Sequence, residues 1–103
     1  MPEIVLVNAF VYILRCSDGS YYVGSTRDSL ETRVSEHNHG IYGGYTAGRR
    51  PVELAWSQEF DRITDAIAAE RRLKGWGRAK KEALIAGDLD LLRSLSRRGG
   101  KAN

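Results

Sequence analysis

The sequence predicts an α/β (α+β) fold in which a three-stranded antiparallel sheet is flanked by helices. Three observations predict it: two strand-like segments joined by a short turn, a third strand-like segment after a glycine-rich loop, and helical periodicity through the C-terminal half. The chain has 103 residues, which suits one domain. We assign this domain to residues 1–88, and a C-terminal helix with a flexible basic tail to residues 89–103. The predicted strands are residues 9–16, 20–25 and 52–60, and the predicted helices are residues 30–37, 65–74, 78–85 and 89–97.

The first two strands form a predicted hairpin whose loop ends at Gly19. Because side chains alternate between the two faces of a strand, the loop length decides which residues lie opposite each other. A two-residue loop would place Tyr12 and Tyr22 on opposite faces, whereas a three-residue loop places both on one face and pairs Tyr12 with Gly24. The last residue of a three-residue loop needs the left-handed conformation, which glycine adopts readily. We therefore predict a shared face. The first strand is apolar on both sides, which predicts that both of its faces are covered.

A helix is predicted from about Leu30 to His37, because Asp28 or Ser29 can cap its first turn. A loop rich in Gly and Tyr follows and ends at Pro51, where the third strand begins. An exposed third strand would be one route to a dimer, so a monomer and a weak homodimer both stay open. The residues predicted to lie on one side of that strand are Val52, Leu54, Trp56 and Gln58.

Three further helices are predicted in the C-terminal half. Thr64 is the candidate cap of the first, and glycines on either side of Trp76 separate it from the second. Gly87 suits the C-cap of the second helix, and Asp88 suits the N-cap of the third. The terminal sequence RRGGKAN is predicted to be disordered.

The cysteine content, the hydrophobicity and the charge of the chain exclude some classes of protein and favour others. Cys16 is the only cysteine, so neither an internal disulfide nor a cysteine-based zinc site can form, and a cytoplasmic location is expected. No apolar segment approaches the roughly 20 residues that span a bilayer, so no membrane partner is expected. The net charge is −3 over residues 1–61 and +6 over residues 62–103. A basic C-terminal half suits a nucleic-acid partner, although a solvated helical face explains the same charges.

Glu70 is a candidate site residue on physical grounds alone. The apolar stripe of its predicted helix, at Ile63, Ala66 and Ile67, continues to position 70, where a carboxylate stands instead. A carboxylate on an inward face needs a partner, because burial of an unpaired charge is costly. The sequence leaves two possible partners for this carboxylate: a positively charged side chain in a salt bridge, for example Arg33, or a bound metal ion.

The segment FVYILRCSDGSYYVGSTRDSLETRVSEHN resembles the core of the GIY-YIG endonuclease superfamily. Residues 10–12 stand where the family has its GIY element and residues 22–24 where it has YIG, with a Phe in place of the first glycine. Arg33 and His37 match the helical pair of the family, and Glu70 matches its metal-binding glutamate. The similarity runs from about residue 9 to 85. It is strongest to small stand-alone single-domain members (the UPF0213 group), whose Arg-Arg-Pro and Glu-x-x-x-Lys elements this chain shares.

Taken singly, these residues have simpler interpretations. Strand tyrosines are more often core residues, and Arg33 and His37 four residues apart fit an exposed pair on one helical face. The literal string Gly-Ile-Tyr at residues 40–42 lies in the loop after the first helix, so we interpret it as a coincidental match.

The resemblance implies a divalent-metal-dependent endonuclease that hydrolyses phosphodiester bonds in nucleic acid. DNA is the expected substrate, including single-stranded or branched DNA, with low sequence specificity and a role in repair or recombination. Glu70 would bind Mg²⁺ or Mn²⁺, and Tyr12, supported by Tyr22, would deprotonate the attacking water if a nearby cation lowered its pKa. Arg33 would stabilise the charged phosphate with help from His37. The alternatives are a nucleic-acid-binding module with an inactive site and a protein-interaction domain.

Further residues are predicted to contact the nucleic acid. Gly24 would leave room for the substrate opposite Tyr12, and the loop before the third strand offers phosphate contacts and a stacking surface. A basic patch surrounds Trp76, which either stacks on a base or fills the core. The predicted contact residues are Gly24, Tyr45, Thr46, Arg49, Arg50, Lys74, Arg78 and Lys80.

Overall fold

The computed structural model describes residues 8–101, with side chains described through residue 97. It contains a three-stranded sheet in the order β2-β1-β3, in which both strand pairs are antiparallel. This arrangement, with helices on the sheet, confirms the predicted fold class. No helix in the described part of the chain is long and apolar enough to cross a membrane. In chain order the elements are β1 Ala9–Arg15, β2 Tyr21–Thr26, α1 Leu30–Asn38, α2 Gly44–Ala47, β3 Glu53–Phe60, α3 Ile63–Lys74, α4 Arg78–Ala86 and α5 Leu89–Lys101.

The central strand β1 carries the core on both of its faces, as its apolar pattern predicted. Val11 and Ile13 are fully buried against α3, where Ala69 and Leu73 are also buried. On the opposite face lies a second cluster, formed by Tyr12, Leu14, Cys16 and Val52 together with residues of α1. The sheet is therefore a rigid middle layer that holds the side chains of both faces in fixed positions.

The hairpin between β1 and β2 has the predicted three-residue loop. Gly19 adopts a φ of 84°, the left-handed conformation that the loop requires. Tyr12 pairs with Gly24 and Leu14 pairs with Tyr22 across the two strands. Tyr12 and Tyr22 consequently lie on the same face of the sheet, which confirms the predicted register.

Strand β3 departs from the predicted alternation. Ile13 of β1 pairs with Trp56, whereas the next residue, Leu14, pairs with Leu54, so one extra residue of β3 forms a bulge at Ala55. Trp56 consequently packs against the cluster of Val11 and Ile13, while Val52 belongs to the cluster of Tyr12. The prediction that Val52, Leu54, Trp56 and Gln58 share one side is therefore wrong.

The predicted capping residues are confirmed at three helix ends, with one exception. The Ser29 hydroxyl accepts a hydrogen bond from the Thr32 amide at 3.1 Å, which makes Ser29 the cap of α1. Gly87 ends α4 in the left-handed conformation, and the Asp88 carboxylate caps α5 through the Leu91 amide. Thr64 is not a cap, because α3 already begins at Ile63.

The short helix α2 and the length of α5 were not predicted. Helix α5 continues to Lys101, four residues beyond the predicted end at residue 97, so the backbone of residues 98–101 is helical rather than disordered. Residues 1–7 of the assigned domain and residues 102 and 103 of the predicted tail lie outside the described residues.

Candidate active site

Tyr12 lies flat against Gly24 of the neighbouring strand and is only 2% exposed. A Cβ atom built on Gly24 would lie 2.5 Å from the Tyr12 hydroxyl and 2.6 Å from Cζ of the ring. We expected this glycine to leave room for a substrate, but the phenol of Tyr12 fills that room. Gly24 therefore fixes the position of Tyr12 and does not itself form an open binding surface.

The Tyr12 hydroxyl begins a buried chain of hydrogen bonds. It lies 3.1 Å from Nε2 of His37, whose Nδ1 lies 2.9 Å from the Thr46 hydroxyl. His37 is 3% exposed and Thr46 is 2% exposed, so water does not compete for these bonds. His37 is thus not an exposed helical residue, and Thr46, predicted to contact nucleic acid, instead fixes the orientation of the imidazole.

The protonation states of this chain follow from its burial. Burial raises the pKa of Tyr12 well above its ordinary value, the neighbouring Tyr22 raises it further, and Arg33 lowers it by less than burial raises it. Burial, and then Arg33, lowers the pKa of His37. The phenol is therefore protonated and the imidazole neutral, so one ring nitrogen of His37 acts as donor and the other as acceptor between Tyr12 and Thr46. In the metal-free protein Arg33 alone does not bring the pKa of Tyr12 below its ordinary value, and the role of Tyr12 as the base stays a prediction.

Arg33 lies beside this chain with its guanidinium held on several sides. Nε and Nη2 donate to the Thr26 hydroxyl at 3.1 and 2.7 Å, and Nη2 lies 3.4 Å from the carboxylate of Asp28. Nε lies 3.8 Å from the Glu36 carboxylate, and the side chain is 20% exposed. Such a guanidinium is oriented before any anion arrives, which favours the recognition of a phosphate.

Tyr42 completes the surroundings of Arg33 and was missed by the sequence analysis. Its hydroxyl accepts a hydrogen bond from Arg33 Nη1 and donates to Glu36 at 2.5 Å, and its ring centroid lies 4.9 Å from that of His37. The Gly-Ile-Tyr string at residues 40–42 is not the strand motif, but it does bring a third tyrosine to the site. The spacing of Glu36 from Arg33, three residues on one helix, indicates that these two can pair, but no local pattern indicates that Tyr42 joins them.

Glu70 lies on α3 and contacts strand β2 at Ser25. Its Oε1 accepts a hydrogen bond from the Ser25 hydroxyl at 2.5 Å, and its Oε2 lies 2.7 Å from the Lys74 ammonium. The Glu70 side chain is 18% exposed, so it lies inward, as the helical stripe predicted. Glu70 contributes to the raised pKa of Tyr12, and Tyr22 to the raised pKa of Lys74, so these four groups lie within electrostatic reach of one another. Within the described residues the suggested salt bridge between Glu70 and Arg33 is not formed, since each has other partners.

The possible ligands around Glu70 suit Mg²⁺ or Mn²⁺ rather than zinc. Within the described residues no group of three or more His, Cys, Asp or Glu side chains is placed to hold a metal, which excludes a zinc-type cage there. Mg²⁺ and Mn²⁺ can be bound by a single carboxylate, with water and substrate phosphate oxygens as the remaining ligands. The partly buried Glu70 carboxylate, with the Ser25 hydroxyl beside it, fits that pattern.

The loop before β3 contributes an aromatic and basic surface next to Tyr22. The Tyr45 ring stacks on that of Tyr22 with centroids 6.2 Å apart, and Arg49 lies 3.9 Å above the Tyr45 ring. Arg49 is also paired with Asp18 at 3.0 Å. Arg50 donates to the backbone carbonyls of Ala47 and Asn38, so its guanidinium braces the loop.

Of the basic residues around Trp76, Lys74 joins the site through Glu70, whereas Arg78 and Lys80 have other partners. Arg78 pairs with Glu82 at 3.0 Å and donates to the carbonyl of Gly19 in the hairpin turn. Lys80 lies 4.3 Å from the Trp76 ring, which itself packs against the core cluster of Val11 and Ile13. Of the two interpretations of Trp76, the structure supports the core residue.

Substitution of Gly24 by alanine tests the contact between Gly24 and Tyr12. The new methyl group would overlap the buried phenol, so we expect the free energy of unfolding to fall by about 1–3 kcal/mol, the usual range for overpacking. Urea denaturation measures this change. Gly48→Ala is the matched control, since nothing lies within 4 Å of its added Cβ. In a Tyr12→Leu background the cost of Gly24→Ala should shrink, and an undiminished cost there would contradict the assigned contact.

Comparison with known proteins supplies independent information on the family of this chain. A family model described as the GIY-YIG catalytic domain matches residues 8–83. A UPF0213 protein of Halobacterium salinarum is 49% identical over 75 residues, which cover 73% of this chain and 96% of the relative. A UPF0213 protein of Bacillus pumilus is 44% identical over 78 residues, covering 76% and 79%.

Two solved structures are similar as well. The solution NMR structure of the protein EF2693 from E. faecalis is 36% identical with a TM-score of 0.54, covering 78% of this chain and 84% of that one. The solution NMR structure of the UPF0213 protein BH0048 from Bacillus halodurans is 38% identical with a TM-score of 0.50, covering 77% and 83%.

Proposed function

Since the chain belongs to the GIY-YIG catalytic domain family, we propose that it is a metal-dependent endonuclease that hydrolyses phosphodiester bonds in nucleic acid, with DNA as its substrate. One observation supports the proposal: the Tyr12 hydroxyl is hydrogen-bonded to His37 at 3.1 Å, and the charges of Arg33 and Glu70 both act on the pKa of its phenol. The residues proposed to accept the proton, bind the phosphate and hold the metal ion therefore lie within electrostatic reach of one hydroxyl.

Glu70 would hold the Mg²⁺ or Mn²⁺ ion, with the Ser25 hydroxyl fixing the orientation of its carboxylate at 2.5 Å. When bound, the ion supplies positive charge to the phosphate oxygens and the leaving oxygen. Arg33 would act from the other side, where its fork of N–H donors is already oriented by Thr26. The guanidinium can exchange its contacts with Asp28 and Tyr42 for phosphate oxygens, since both of those partners are exposed.

The proton of the attacking water would leave through Tyr12 and His37 together. Because burial raises the pKa of Tyr12 in the metal-free protein, its phenol would pass its proton to His37 Nε2, in the tautomer in which Nε2 is the acceptor, while it takes one from water. The water oxygen forms the new P–O bond, the ester P–O bond breaks, and the leaving oxygen takes a proton from solvent. Tyr12 is almost fully buried, so substrate binding must open a path for one water molecule to its hydroxyl.

The surface beside Tyr22 would bind the nucleic-acid strand. Arg49 provides a positive charge next to the exposed ring of Tyr45, and Lys74 provides another next to Glu70. Contacts of this kind recognise phosphates and stack on bases without reading their sequence. We therefore propose cleavage with low sequence specificity, including cleavage of single-stranded or branched DNA.

A cleavage assay tests this function against its alternatives. The purified protein is incubated with single-stranded, duplex and branched DNA and with RNA, in the presence of Mg²⁺, Mn²⁺ or EDTA. We expect cut products with either metal and none with EDTA. A binding module with an inactive site would instead bind in a salt-sensitive manner unaffected by EDTA, without any product. A protein-interaction domain would not bind nucleic acid at moderate salt.

A further inference from the structure

The Glu70 carboxylate already has a cation at one of its oxygens. The Lys74 ammonium lies 2.7 Å from Oε2, one helical turn along α3, while the Ser25 hydroxyl occupies Oε1 at 2.5 Å. The Lys74 side chain is 53% exposed, whereas that of Glu70 is 18% exposed. The carboxylate is therefore held in place, and the cation beside it can leave.

We propose that Lys74 is the resident counter-ion of Glu70, which a divalent ion displaces when it binds. This inference rests on the proposed function, because it takes Glu70 to be the metal ligand. In the metal-free protein Lys74 lowers the cost of keeping a carboxylate partly buried, since an unpaired charge there would be unfavourable. A divalent ion that arrives at Oε2 must compete with the ammonium, and the displaced side chain is long enough to turn towards solvent or a nearby phosphate.

A consequence of this competition is that Lys74 lowers the affinity of the site for metal. We expect Lys74→Met to bind Mn²⁺ about 3- to 10-fold more tightly than the wild-type protein, because one close positive charge is removed. Isothermal titration calorimetry with MnCl₂, without nucleic acid, measures this change independently of cleavage. Arg71→Met is the matched control, since it removes the same charge from the same helix. In the described structure Arg71 forms no ion pair with Glu70. Its affinity should change less than about twofold.

The stabilities of the wild-type protein and of Lys74→Met give a second measurement of the competition between Lys74 and the metal ion. If Lys74 pairs with Glu70 only in the absence of metal, Lys74→Met should have a lower free energy of unfolding in urea than the wild-type protein when EDTA is present. In saturating Mn²⁺ this difference between the two proteins should be smaller. Linkage requires the difference between the two conditions to match the ratio of the two Mn²⁺ affinities. A stability loss that is equal in both conditions would contradict the displacement.

The Glu70→Gln background separates this inference from the proposed function. There Lys74→Met should no longer lower stability to urea in EDTA, since Lys74 acts through the carboxylate. If Mn²⁺ binding requires Glu70 but Lys74→Met and Arg71→Met shift it equally, the metal site stands and the counter-ion inference is overturned. If the wild-type protein binds no Mn²⁺, or binds it equally well without Glu70, both are overturned.

Discussion

Arg33→Ala should lower the rate of nucleic-acid cleavage by at least about 100-fold, the scale of losing one key electrostatic group. The guanidinium is the cation whose charge acts on both Tyr12 and His37, and it is oriented by two hydrogen bonds to Thr26. Alanine removes the donors that would meet the charge developing on the phosphate. Gel analysis of initial cleavage rates under saturating metal measures the loss.

Two further variants show whether the effect of Arg33→Ala is specific. Arg33→Lys keeps the charge but not the planar fork, so it should recover only part of the lost rate. Arg27→Ala removes an arginine from the exposed loop that precedes α1 and should cleave at nearly the wild-type rate. Because Arg33 also neutralises Asp28 and Glu36, the fold of each variant is checked by urea denaturation. Near-normal cleavage by a folded Arg33→Ala protein would reject the role assigned to Arg33.

The face shared by the two tyrosines could be predicted because it depends on local features only. Gly19 determines the loop, the loop determines the register, and the alternation of side chains then places Tyr12 and Tyr22 together. The inward position of Glu70 could be predicted for a similar reason, since helical periodicity requires no knowledge of the rest of the fold. The two tyrosines and Glu70 all lie where the periodicity of a strand or a helix continues without interruption.

The features that could not be predicted depend on three-dimensional context. The bulge at Ala55 leaves no trace in the pattern of β3, because Leu54 and Trp56 are both apolar and fit either register. Tyr42 reaches Arg33 only because of the path of an irregular loop. The raised pKa of Tyr12 reflects its burial, and the sequence alone indicated the neighbouring cation but not how completely the phenol is covered.

Glu70→Gln should also reduce cleavage by at least about 100-fold, and it should abolish Mn²⁺ binding measured by calorimetry. Glutamine keeps the shape of the side chain and can still accept a hydrogen bond from Ser25, but it lacks the negative charge that a divalent ion requires. Asp65→Asn, on the exposed surface of the same helix, is the matched control and should leave both properties unchanged.

The direction in which Glu70→Gln changes the cleavage rate distinguishes two roles for Glu70: a metal ligand, or a charge that acts only on the pKa of Tyr12. Its charge contributes to the raised pKa of Tyr12, so removing that charge makes the phenol easier to ionise. If Glu70 acted only through the pKa of Tyr12, Glu70→Gln would therefore cleave as fast as the wild-type protein or faster. A large loss of rate together with the loss of Mn²⁺ binding, in a variant that remains folded in urea denaturation, is the result expected of a metal ligand. Undiminished cleavage with Mg²⁺ would exclude that role, even if Tyr12, His37 and Arg33 proved essential.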